Sequence, residues 1–220
     1  MNWLSDIMLA SLNFFYTMSG NYGLAIILLT IAINFALYPL TLSSIVQMSA
    51  MQRIQPKIAE LQKKYKNEPD KMQKETMALY KKEKINPFGG CLPMLLKIPF
   101  FIALFLALQS KNFVALISSP NVNASFLWIH NLAKPDPTYI LIILIALTTY
   151  LSQKTMPASS NQQMAGMNYI MPIFIAFISV TFPSGVQIYW VISNLAAVAQ
   201  QWYIVRSMSV KEKNVSRETF

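Results

Sequence analysis

Not one aspartate or glutamate falls within the long apolar stretches of this 220-residue chain. An ion-coupled transporter relies on such groups for its relay, so that class is poorly supported. Charge is scarce throughout: 12% of residues are charged and 54% hydrophobic, with a mean hydropathy of +0.38. A soluble domain carries about 25% charged residues, so the chain reads as an integral membrane protein of one domain. A single cysteine, Cys91, excludes an internal disulfide. With only His130 beside it, little is left for a His/Cys metal site or a Cys–His dyad. Neither a Walker-type glycine loop nor a dinucleotide fingerprint is present. No metal, cofactor or catalytic group is expected, and the protein reads as a non-enzyme.

What is present is a series of apolar segments around one polar, basic insertion. Residues 1–19 place Trp3, Leu4, Ile7, Met8, Ser11, Leu12 and Phe15 at helical spacing, without the basic start of a secretory signal. They predict an amphipathic helix in the membrane interface. Residues 20–44 form the first predicted span, kinked near its end by Pro39. Residues 45–90 hold ten Lys/Arg and five Asp/Glu. Ile54, Ile58, Leu61 and Tyr65 recur at helical spacing, and turn chemistry follows at Asn67–Asp70, so a helical hairpin outside the bilayer is expected. Its thin core and the breakers Pro87, Gly89 and Gly90 predict a mobile lid and docking element. A basic patch for RNA is the less common cause of such a segment. Residues 91–206 carry spans two to five, at 92–111, 138–154, 167–182 and 186–206. Residues 207–220 form a basic tail, expected to be disordered, whose charges would attract ribosomal RNA or anionic lipid.

Polar residues inside the spans carry the functional signal. Thr30, Asn34, Tyr38 and Thr41 share one face of the first span. Asn34 either bonds a neighbouring helix or belongs to a hydrated face, and the whole stripe favours the second. Gln187, Trp190, Asn194 and Gln201 form a stripe in the fifth span, and Thr148 and Ser152 a shorter one in the third. Lys97 lies inside the second span, where a charge costs roughly 2.5–3.5 kcal/mol on insertion scales. It either faces a hydrated interior or snorkels to the headgroups. Fifteen of the 18 Lys/Arg fall on one side if the hairpin is cytosolic, which predicts five spans with the N-terminus outside and the C-terminus in the cytosol. A small channel or transporter and a passive assembly scaffold are the alternative classes.

The sequence resembles the YidC/Oxa-type membrane protein insertases. The matching residues run in order along nearly the whole chain: Tyr38-Pro39-Leu40-Thr41, Gln55-Pro56-Lys57, the run Asn86-Pro87-Phe88-Gly89-Gly90-Cys91-Leu92-Pro93, Trp128-Ile129-His130, Phe182-Pro183-Ser184-Gly185, and Ser193-Asn194. The resemblance implies an all-α membrane fold, five transmembrane helices around a hydrophilic groove open to cytosol and lipid. It implies residence in the bacterial plasma (inner) membrane and insertion and folding of nascent membrane proteins, alone or with the Sec translocon. Ribosome and lipid contact follow, without recognition of a nucleic-acid sequence. The large periplasmic domain of the Gram-negative members has no counterpart in these residues, and no lipoprotein cysteine precedes the first span. By position, substrate contacts fall on Thr30, Phe101, Leu104 and Trp190, the last where a tyrosine is common. Asn34 stands at the position of the family's groove arginine, and Lys97 where glutamine is common. Lys97 is therefore expected to return the missing cation to the groove from the opposite wall, hydrogen-bonded by Asn34, with Asn194 also lining it.

Overall fold

The computed structural model describes residues 2–86, 92–119, 122, 123, 125–155 and 167–218, and regular structure among them is helical. Helix α1 (Asn2–Ser19) and α2 (Tyr22–Ala36) meet at a 115° bend. Gly20 makes the bend with a φ of +67°, a conformation most side chains avoid. Asn21 then caps α2, its Oδ1 accepting from the N–H groups of Gly23 at 2.8 Å and Leu24 at 3.2 Å.

The first expected span is not one kinked helix. α2 ends at Ala36, and α3 (Tyr38–Lys64) starts with Pro39 in its first turn. Proline lacks the N–H that an uninterrupted helix needs and suits a helix start, so it resets the chain. α3 runs straight through the expected 44/45 boundary, so the end of the first span and the first hairpin arm are one helix. The turn expected near Asn67–Asp70 precedes α4 (Pro69–Lys82), which has an acid in its first turn and lysines in its last, as the helix dipole favours. The breakers at 87–91 lie outside the described residues.

α5 (Leu92–Gln109) is followed by a short helix, α6 (Lys111–Ile117), where the sequence predicts loop. Ser110 caps it, accepting from Phe113 N–H at 3.2 Å. α7 (Ile140–Thr155) and α8 (Met167–Ser179) flank the expected 155–166 loop, of which residues 156–166 lie outside the described residues. α9 (Ser184–Glu218) continues well past residue 206, so the backbone of the expected disordered tail is helical as far as Glu218.

α9 is the axis of the bundle. It packs on α2, α5 and α7. Asn194 meets Thr148 and Thr149, and Gln201 meets Thr155, so α7 and α9 run parallel. A Cβ on Gly185 would lie 2.9 Å from Ile26 Cδ1 and 2.6 Å from Leu108 Cδ1. The starts of α2 and α9 and the end of α5 therefore converge there. The main core sits at this end, built from Met8, Leu12, Ile26, Leu104, Leu108, Phe113, Leu132 and Val186, among others. A separate small core of Ile54, Ile58 and Ile85 joins the hairpin. No single described helix is long and apolar enough to cross a membrane; the bent pairs α1–α2 and α5–α6 reach that length and composition together. Phe35, Ile143, Leu147, Ile173 and Phe177 are strongly exposed, an apolar exterior that suits lipid.

Candidate functional site: a polar seam beside an aromatic wall

α9 carries two polar stripes with different fates. Gln187, Asn194 and Gln201, seven residues apart, are the amides of the stripe expected from the sequence, which also holds Trp190. Its hydrogen bonds are made inside the protein. Asn194 Nδ2 donates to Thr149 Oγ1 at 2.9 Å and Thr148 Oγ1 at 3.3 Å. Gln201 Oε1 accepts from Thr155 Oγ1 at 2.5 Å. Gln187 Nε2 donates to Ser179 O at 2.8 Å. This stripe clamps α9 to α7 and α8.

The second stripe did not stand out in the sequence. Tyr189, Ser193 and Gln200 are spaced by four and seven, hence on one face. Gln200 Nε2 donates to Asn34 O on α2 at 3.1 Å. Asn34 Nδ2 donates to Thr30 O at 2.8 Å, and Thr30 Oγ1 to Ile26 O at 2.6 Å. Asn34 Oδ1 and Gln200 Oε1 are buried and accept from no group among the described residues, and Gln153 Oε1 and Gln187 Oε1 are in the same condition. The buried Tyr189 hydroxyl and Ser193 Oγ lie close enough to bond each other. Buried polar atoms normally find a partner, so such a concentration marks a place built to receive one. The signal was legible as an i, i+4, i+11 spacing, masked by the aromatic character of Tyr189.

Tyr189 joins this seam to an aromatic wall. Its ring centroid is 6.4 Å from that of Phe101 on α5. Phe101 meets Trp190 edge-on at 5.2 Å and Phe182 at 5.5 Å, and Phe105 meets Phe182 at 5.9 Å. Phe101 and Trp190 are half-buried, whereas Leu104 is 1% exposed and belongs to the core behind them. Lys97 is half-buried in the second turn of α5. No hydrogen bond or ion pair holds it among the described residues, and Asn34 Oδ1 accepts nothing from it. The expected Lys97–Asn34 pairing is not made.

One end of the seam is closed by a dense cap. Phe126 and Ile129 exchange backbone hydrogen bonds of 2.8 Å across a tight turn. Asn21 Nδ2 donates to Ser125 O at 2.7 Å. Ser184 donates to Lys134 O from its N–H at 2.7 Å and its hydroxyl at 2.5 Å, and Gly185 N–H donates to Leu132 O at 3.0 Å. Asp136 anchors the loop. Its carboxylate accepts from Leu141 N–H and Thr138 N–H at 3.0 Å each, from the Thr138 hydroxyl at 2.7 Å and from Trp128 Nε1–H at 3.5 Å. Burial alone would raise its pKa, but these donors outweigh burial and hold it below the usual carboxylate value.

The sequence pattern of the family described as "60Kd inner membrane protein" matches residues 14–213. The chain belongs to that family. This 60Kd inner membrane protein family is the YidC/Oxa-type group that the motifs resemble, and membership places the chain in a membrane. A membrane protein insertase YidC of Syntrophus aciditrophicus is 44% identical over 204 residues, covering 93% of this chain and 36% of that protein. One from Geobacter sulfurreducens is 41% identical over 209 residues, covering 95% and 38%. A crystal structure of an active YidC insertase superposes with a TM-score of 0.73 at 26% identity, over 91% of this chain and 47% of the other. The chain thus spans less than half the length of each of these relatives. In this 60Kd family chain, the seam formed by α2 and α9 is the candidate site.

Proposed function

We propose that the protein is a non-enzymatic membrane protein insertase and folding chaperone, with five spans around the α2–α9 seam, N-terminus outside and C-terminus in the cytosol. The observation that carries this is the seam itself: buried amide oxygens without partners among the described residues lie beside the Phe101–Trp190 aromatics, in a bundle with an apolar exterior. Water or a polar flank of an incoming segment satisfies Asn34, Ser193, Gln200 and Tyr189, which thins the apolar barrier. The apolar part of the segment passes over Phe101 and Trp190 into lipid, with Leu104 packing behind them. Burial of that part in lipid, worth about 25 cal/mol per Å², drives the transfer. Thr30 shapes the α2 wall, Asn194 fixes α9 against α7, and Lys97 stands as a charged group on the α5 side. Nascent membrane proteins are the substrates; the ribosome, the Sec translocon and membrane lipids are the partners. The test is reconstitution. Purified protein in liposomes should insert a single-span test segment that empty liposomes do not. A passive scaffold would bind the segment and leave it protease-accessible.

A further inference from the structure

We infer that α3 is hinged at Pro56 and that residues 83–86 are a latch across the hinge, so that the hairpin swings as a unit when the latch lets go.

Pro56 lies inside α3, which is one helix from Tyr38 to Lys64. Its nitrogen carries no hydrogen, so it cannot donate to the carbonyl of Gln52, and its ring crowds that carbonyl. Such a position is where a helix bends. Pro56 and Gln52 are exposed and share one face. Crowding spreads that face, so the favoured bend closes the opposite one. The opposite face carries Gln47, Ile54 and Ile58, and residues 83–86 lie against it.

The latch is fastened on both sides of the proline. Before it, Asn86 N–H donates to Gln47 Oε1 at 3.3 Å. Beyond it, Lys57 Nζ meets Glu83 Oε1 at 2.7 Å. Between these bonds, the buried Ile85 forms one small core with Ile54 and Ile58, the residues two before and two after Pro56. The end of α4 aims Ile85 there. Lys84 takes a φ of +55°, and Ile85 N–H donates to Tyr80 O at 2.9 Å. This closure turns the apolar residue after it back onto the structure. The two polar contacts are exposed and contribute little, so the isoleucine core carries the latch. Three buried residues release at low cost. Leu79 and Tyr80 of α4 pack on the same core, so a bend toward that face carries α4 back toward the bundle.

The full chain, with Cys91→Ser, is reconstituted in lipid nanodiscs and spin-labelled in pairs for distance measurement. Val46→Cys with Lys74→Cys spans the hinge, and Glu60→Cys with Lys74→Cys lies wholly beyond it; all three positions are exposed. Ile85→Ala should shift the Val46–Lys74 distribution to shorter distances and leave Glu60–Lys74 unchanged. Adding Pro56→Ala should cancel the shift, because an unbroken helix resists the bend. A change in both pairs would mean that the hairpin unravels, and a shift that survives Pro56→Ala would put the bend elsewhere; either overturns the hinge. No shift with Ile85→Ala overturns the latch. No substrate is present, so each of these failures leaves the insertase reading standing.

Discussion

The two ends of the bundle are built on opposite plans. At the capped end, eighteen buried apolar residues of the described chain form one core, and the connecting loop is tied to three helices by backbone and side-chain hydrogen bonds. At the hairpin end, the separate core has three buried residues, and α4 buries none. The contacts there are polar and exposed, such as Lys57 Nζ to Glu83 Oε1 at 2.7 Å and Lys71 to Glu68. Exposed pairs of this kind contribute little. The contrast supports the proposal that the capped end is a seal and that the hairpin end opens at low cost.

The largest effect on this comparison is expected at Gly23. A Cβ there would lie 2.2 Å from Phe126 Cγ and 2.4 Å from its Cβ. Rotating the ring cannot relieve the second clash, so the turn that seals the cap must move. Gly23→Ala should destabilise the protein by about 3 kcal/mol, the upper part of the range for overpacking, seen as a lower unfolding midpoint in detergent. An unchanged midpoint would mean that the cap is loosely held.

Asp136 comes next. Asp136→Asn keeps the shape, discards the charge and should cost about 1–2 kcal/mol. Because the folded pKa is depressed, the stability from this carboxylate is present in full above its unfolded value of about 3.9 and is lost as pH falls through the folded value. The unaltered protein should therefore lose stability on acidification below about pH 4 more steeply than Asp136→Asn. Parallel pH profiles would remove Asp136 from its anchoring role.

The smallest effect belongs to the hairpin. The hydrogen bond and charge of Lys57 hold the Glu83 carboxyl below its usual pKa, yet the pair lies in solvent. Glu83→Gln should leave the unfolding midpoint unmoved. Amide hydrogens of α3 beyond Ala50 and of α4 should exchange much faster than those of α9 between Gly185 and Gln201; equal protection would refute the mobile hairpin.

The sequence made much of this legible, and its failures have physical causes. The helices and the hairpin turn followed from apolar spacing and from Asn67–Asp70. The sequence predicts a kink at Pro39, but a proline in the first turn of a helix starts a new one, so the 44/45 boundary falls inside α3. α6 was missed because a seven-residue helix has too few apolar positions to show a period. In the site, Thr30 and Asn34 were placed together, and Phe101 meets Trp190. The polar stripe through Asn194 proved to be internal adhesive between α9 and α7. Periodicity marks a polar face but does not say whether a neighbour has already satisfied it. That distinction needs the partner helix, which is why Tyr189, Ser193 and Gln200 emerged only from the structure.

We propose that the seam at Ser193 is hydrated from the hairpin end and closed at the capped end. It is tested most directly by Ser193→Cys in a Cys91→Ser background, reconstituted in vesicles of known orientation and labelled with a membrane-impermeant maleimide. Labelling should proceed when the reagent is on the hairpin side and fail when it is on the capped side. Labelling from the capped side, or from neither, would contradict the account.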